Sequence, residues 1–98
     1  MRDPNIFGRE IAALAMNRLR AVGLSSDPAV EKRQQVRRVS GDAMRAIEIA
    51  GGTLLGDGHE LHKVQQWILD AKSAFNLGIV EGRQAIAMKA APAIEDRH

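Results

Sequence analysis

The chain has 98 residues, enough for one domain with a modest core and too few for two. Hydrophobic residues make up 45% of it, which excludes a disordered tail, and the absence of cysteine excludes a disulfide framework or a thiolate metal site. Fourteen basic residues against twelve acidic ones leave a net charge of +2, too balanced for a strong nucleic-acid binder.

The first predicted helix covers about residues 4–22. Asp3-Pro4 supplies an N-cap followed by proline at the first helical position, where the missing N–H costs nothing. Ile6, Phe7, Ile11, Leu14, Met16, Leu19 and Val22 then recur at helical spacing, and Gly23 is the expected C-cap. The N-terminal stretch MRDPNIFGRE lacks the apolar core of a signal peptide, and no apolar run approaches the roughly 18 residues of a membrane span. A soluble, cytoplasmic protein with no membrane contact is the expectation.

A second start signal, Asp27-Pro28, opens a helix predicted over about 28–50. Val30, Val36, Val39, Ala43, Ile47 and Ala50 form its apolar stripe, opposite a face rich in Lys32, Arg33, Arg37, Arg38 and Arg45. Residues 1–49 hold nine basic and six acidic groups, so the positive charge is concentrated in this half. Ten of the 14 basic residues are arginine, whose planar fork matches phosphate better than an ammonium does. Gly51-Gly52 is expected to break the helix, with a glycine-rich turn to Gly58. That turn, GGTLLGDG, lacks the lysine-serine/threonine pair and the preceding strand of a phosphate loop.

The third and longest helix is predicted over about 59–91, ended by Pro92, with 93–98 a frayed tail. His59 and His62 stand three apart where a zincin pair needs four, so no metal site is expected. Bulky Val64, Ile68, Phe75, Ile79 and Ile86 lie beside a seam of Ala71, Ala74, Gly78, Gly82 and Ala85. Such a seam admits another helix closely. The helix would span roughly 45 Å, against a radius of gyration near 13 Å for a compact chain of this length. Self-association through Ala71, Ala74, Phe75, Gly78 and Gly82 is therefore expected. Lys72, Asn76 and Arg83 fall within about 40° of one another around the helix axis, a face that could hold a phosphodiester with Ser73 adding a hydroxyl. No serine–histidine–acid or paired-carboxylate set is present, and neither catalysis nor a cofactor is expected.

Two segments together resemble one family. Trp67-Ile68-Leu69-Asp70-Ala71-Lys72-Ser73-Ala74-Phe75-Asn76-Leu77-Gly78, continuing to Gln84-Ala85-Ile86-Ala87, is similar to a tryptophan-led run with a basic–threonine pair and a glycine. Glu10-Ile11 and Met16-Asn17-Arg18-Leu19-Arg20-Ala21-Val22-Gly23 resemble its glutamate–isoleucine and methionine–asparagine–arginine segments. The family is the small phage anti-CBASS sponge proteins, short helical chains that form hexamers and capture cyclic di- and trinucleotide immune signals between subunits. The resemblance implies an all-α, three-helix protomer in a homo-oligomer that sequesters such a signal without catalysis, so that a phage evades bacterial defence. It places Arg20 at a ligand-contacting lysine, Lys72 at a basic residue and Ser73 at a threonine. Phe7 would be the base-stacking partner, and Gln84 stands where the family has arginine. The other readings of the sequence are a helical module that inhibits a host protein and a small DNA-binding phage protein.

Overall fold

The Asp3 carboxylate accepts hydrogen bonds from the amides of Asn5 (2.8 Å) and Ile6 (3.3 Å), and Pro4 occupies the first helical position. From this cap helix α1 runs over Pro4–Leu24. The computed structural model describes residues 1–90, with side chains through residue 86. Helix α2 spans Ala29–Gly56 and helix α3 spans Leu61–Ala90, and no strand occurs among the described residues. Pro92 and the tail expected over 93–98 lie outside the described residues.

Helix α3 starts at Leu61 and not at 59, and three boundaries of α1 and α2 differ from the sequence expectation. Gly23 does not cap α1; the helix continues to Leu24, and Ser25 ends it with its hydroxyl on the Val22 carbonyl at 2.8 Å. At the start of α2 the extended Pro28 takes the cap position, so Asp27 is one residue too far out to cap. Its carboxylate accepts from Gln35 Nε2 instead, at 3.1 Å. Gly51-Gly52 does not break α2. The helix ends at Gly56, and Gly58, at φ 95°, closes it: the Gly58 amide bonds the Leu55 carbonyl and the His59 amide the Leu54 carbonyl. That pair of bonds is the Schellman closure, and it needs the left-handed residue that glycine provides.

The paired residues give the topology. Gly8 meets Ala71 and Ala74, Ala12 meets Gly78, and Met16 meets Gly82, so α1 and α3 run parallel. Arg18 bonds Asp42, and Lys72 bonds Glu48, so α2 runs antiparallel to both. The result is a flattened, elongated three-helix bundle, 57 × 32 × 14 Å, with a radius of gyration of 16.6 Å. Its core joins Ala12 and Ala15 of α1, Val39, Ala43 and Ile47 of α2, and Trp67, Ala71 and Phe75 of α3. No polar or charged side chain is buried in it.

The small-residue seam of α3 is filled from within the chain, contrary to its expected role as an oligomer interface. Ala71, Ala74 and Phe75 are 0–4% exposed. A Cβ at Gly8 would collide with the Ala71 carbonyl oxygen and come within 2.7 Å of Ala74 Cβ. One at Gly78 would lie 2.6 Å from Ala12 Cβ, and one at Gly82 3.1 Å from Met16 Cγ. The parallel α1 takes the place that a second copy would occupy, because the short connector and the antiparallel α2 bring α1 and α3 side by side.

Candidate functional site

Where the C-terminal end of α1, the start of α2 and the second half of α3 converge, the helices leave a cleft of about 340 Å³. Arg20, Lys32 and Arg83 line it, one cation from each helix, over an apolar surface of Leu19, Val36 and Ile86. None of the lining residues is acidic. A second recess of about 280 Å³ continues from it, sharing Leu19 and Arg83 and adding Ser40, Asn76 and Ile79. Together they present cationic and hydrogen-bonding groups beside apolar walls, the composition of a site for a small organic anion.

The electrostatics favour Arg20 and Arg83 as the anion-holding groups. Neither has a carboxylate partner within ion-pair distance among the described residues. Lys32 is partly engaged, its ammonium donating to the Gly23 carbonyl at 3.3 Å. There it stabilises the negative end of α1 while still facing the cleft. Two arginine forks and an ammonium can hold a phosphate bidentately while its apolar or aromatic appendage lies on Leu19, Val36 and Ile86.

The sequence-predicted residues divide among four places. Arg20 and Arg83 meet in the cleft, and Asn76 joins Arg83 in the adjoining recess. Lys72, on the same face of α3, is engaged with Glu48 at 2.9 Å and lines neither recess. Ser73 is exposed on the far side of α3 from the α1 contact. Phe7 lies at the other end of α1, about 20 Å along the helix from Arg20. It packs against Trp67 with ring centroids 5.3 Å apart, and the Arg2 guanidinium lies over its ring at 5.2 Å. Trp67 Nε1 donates to the Arg2 carbonyl at 2.7 Å, tying this aromatic group to the start of the chain. Phe7 thus serves packing and is not beside the cations.

Lys32 is the cleft residue that the sequence alone does not single out, because helical spacing groups it with the outward basic face of α2. The signal was present: the connector between α1 and α2 is only four residues long, so α2 must fold straight back and bring Lys32 beside Arg20.

No family model, curated protein or solved structure matches the chain. Its site is therefore read from its own geometry. No cluster of three metal-ligating side chains occurs among the described residues. No described helix is long and apolar enough to cross a membrane.

One further surface bears on assembly. The outer face of α3 exposes Leu69, Leu77 and Val80, each at least half exposed, with Val80 and Asn76 at its edge also bordering the recess beside Ser40. On an ideal helix these share an arc of about 100° with His62, Gln66, Ser73, Asn76 and Gln84. No lysine, arginine or carboxylate falls on that arc. Charge begins at its margins, at Arg83 and Lys72 on one side and at Asp70 and Glu81 on the other. The latter is clamped by Arg9 through bonds of 2.6 and 3.3 Å, which hold its carboxyl below the usual carboxylate value.

Proposed function

We propose that this chain is a non-enzymatic binding protein that sequesters a cyclic di- or trinucleotide signal, in the manner of the phage anti-CBASS sponges it resembles in sequence. The observation that carries the reading is the convergence of Arg20, Lys32 and Arg83, one from each helix, over apolar walls with no acid among them. Cyclic nucleotides offer phosphodiesters to the cations and flat bases to the apolar surface. The partners of this reading are the signal and further copies of the chain. Homo-oligomerisation, up to a hexamer, would use the uncharged outer face of α3 in place of the closed small-residue seam. The ligand set becomes Arg20, Lys32, Arg83 and Asn76; Lys72 would join only by exchanging Glu48 for phosphate, and Ser73 and Phe7 stand apart. The setting is the cytoplasm of an infected or lysogenic bacterium.

Isothermal titration calorimetry against a panel of cyclic di- and trinucleotides tests this. At least one should bind, and Arg20→Ala or Arg83→Ala should each weaken it by about 10- to 100-fold, the worth of one charged hydrogen bond. Absence of both heat and thermal stabilisation with every member of the panel refutes the reading.

The apolar α3 face equally suits a helical module that docks on and inhibits a host protein. Native mass spectrometry separates the two: subunits of this chain alone favour the sponge, and a protomer favours the module.

A further inference from the structure

The overall charge of +2 conceals a segregation that the fold creates. Every arginine or lysine held in an ion pair among the described residues lies on α1, on α3 or at the start of the chain: Arg2, Arg9, Arg18 and Lys72. Two of the three acids on α2, Asp42 and Glu48, are spent on such pairs, with Arg18 and Lys72. Beyond the third, Glu31 in its first turn, the charge that α2 leaves unpaired is cationic. Arg33, Arg37, Arg38 and Arg45 are all exposed, and none has a carboxylate within ion-pair distance among the described residues.

Their placement is ordered. On an ideal helix Arg37 and Arg38 diverge by about 100°, to either side of a line through Gln34 and Gly41, and Arg45 follows Arg38 two turns on. Gly41 is exposed, and a Cβ built on it would meet nothing within 4 Å. Internal packing therefore gives no reason for a glycine that costs the helix about 1 kcal/mol relative to alanine. Gly52, on the same outward side, is equally open. Close approach by something outside the protomer would use both positions.

We infer that the outward face of α2 is a docking surface for duplex DNA, entering the major groove with Gly41 against the groove floor and Arg37, Arg38 and Arg45 on the phosphates of its two rims. Three features favour a duplex over an acidic protein. The cations are arginines, they flank Gly41 on both sides, and the helix is long and solvent-facing along one side, the one carboxylate near the Gly41 line, Glu48, being drawn aside to Lys72 of α3. The surface is separate from the Arg20–Lys32–Arg83 cleft and does not depend on the nucleotide reading.

Fluorescence anisotropy of a labelled 20-base-pair duplex, read from low to moderate salt, tests the inference. Binding should weaken with salt at a log–log slope of about −3, as expected when three arginines neutralise phosphates. The triple variant Arg37→Gln/Arg38→Gln/Arg45→Gln should bind at least tenfold more weakly with a slope near zero, while its circular dichroism stays unchanged. Gly41→Ala should raise the melting temperature yet weaken duplex binding, which separates loss of binding from loss of fold. Arg20→Ala and Arg83→Ala should leave duplex binding as it is. The inference is overturned by no binding at low salt, by undiminished binding in the triple variant, or by polyglutamate competing as well as unlabelled duplex.

Discussion

Gly8 and Gly41 carry the same residue in helix interiors, and the structure assigns them opposite consequences. Gly8 is buried where α1 presses on α3, and a methyl there would strike the Ala71 carbonyl oxygen and approach the Phe75 amide nitrogen to 3.0 Å. Those are backbone atoms, unable to step aside without moving a helix. Gly8→Ala should destabilise the protein by about 1–3 kcal/mol, the usual cost of overpacking. Gly41 faces open space, so Gly41→Ala should stabilise by about 1 kcal/mol through helix propensity alone. Thermal denaturation of the two variants checks the pair. A stabilised Gly8→Ala would mean that α1 and α3 do not meet as described. Gly8 carries no such signal in the sequence, because its partner lies more than sixty residues away and only the fold places Ala71 beside it.

At the scale of elements, α2 shows how local signals mislead when tertiary contacts reward a costly residue. Two adjacent glycines read as a helix end, yet α2 passes through them, because Gly51 lets Ile68 of α3 lie against the α2 backbone. The real stop is at Gly58, where the chain needs a positive φ that only the geometry reveals. The helices themselves were legible from apolar spacing and from the Asp3-Pro4 cap, since these depend on residues a few positions apart. The pairing of α1 with α3 is not legible in this way, and without it the small-residue seam suggests an interface between copies. The same limit divided the candidate site: Arg20 and Arg83 were found as separate cations, and only the fold joins them through Lys32. The continuity of α2 makes a prediction. Gly52→Ala, at an open helical position, should raise helicity and the melting temperature, worth about 1 kcal/mol. Gly51→Ala should lower stability, though by less than Gly8→Ala, because the group in its way is the end of the Ile68 side chain, which can rotate. If Gly52→Ala destabilises instead, circular dichroism should show helix lost at this point and α2 ends before it.

For the whole molecule, shape and exposed surface combine into an argument about assembly. A radius of gyration of 16.6 Å exceeds the value of about 13 Å expected of a compact chain this size. The shape is extended because α2 packs along the seam between α1 and α3 and no fourth element covers their remaining sides. One consequence is that α3 keeps a whole side uncovered, with Leu69 at 59%, Leu77 at 55% and Val80 at 50% exposure. An uncharged strip of this kind along one helix suits a second copy of itself, since like meets like with no charge to repel across a two-fold axis. The assembly proposed above should therefore depend on these three side chains and not on Gly78 or Gly82, which are committed to α1. Leu77→Glu and Leu69→Glu should each reduce the mass measured by light scattering towards that of the protomer, with helical content retained because both residues point to solvent. The wild-type melting temperature should also rise with protein concentration, as mass action requires of a dissociating assembly, and that dependence should vanish in the variants. A wild-type protein that already runs as a protomer at high micromolar concentration, with a melting temperature indifferent to dilution, would remove the assembly. The cleft of Arg20, Lys32 and Arg83 would then have to bind its anion within one subunit.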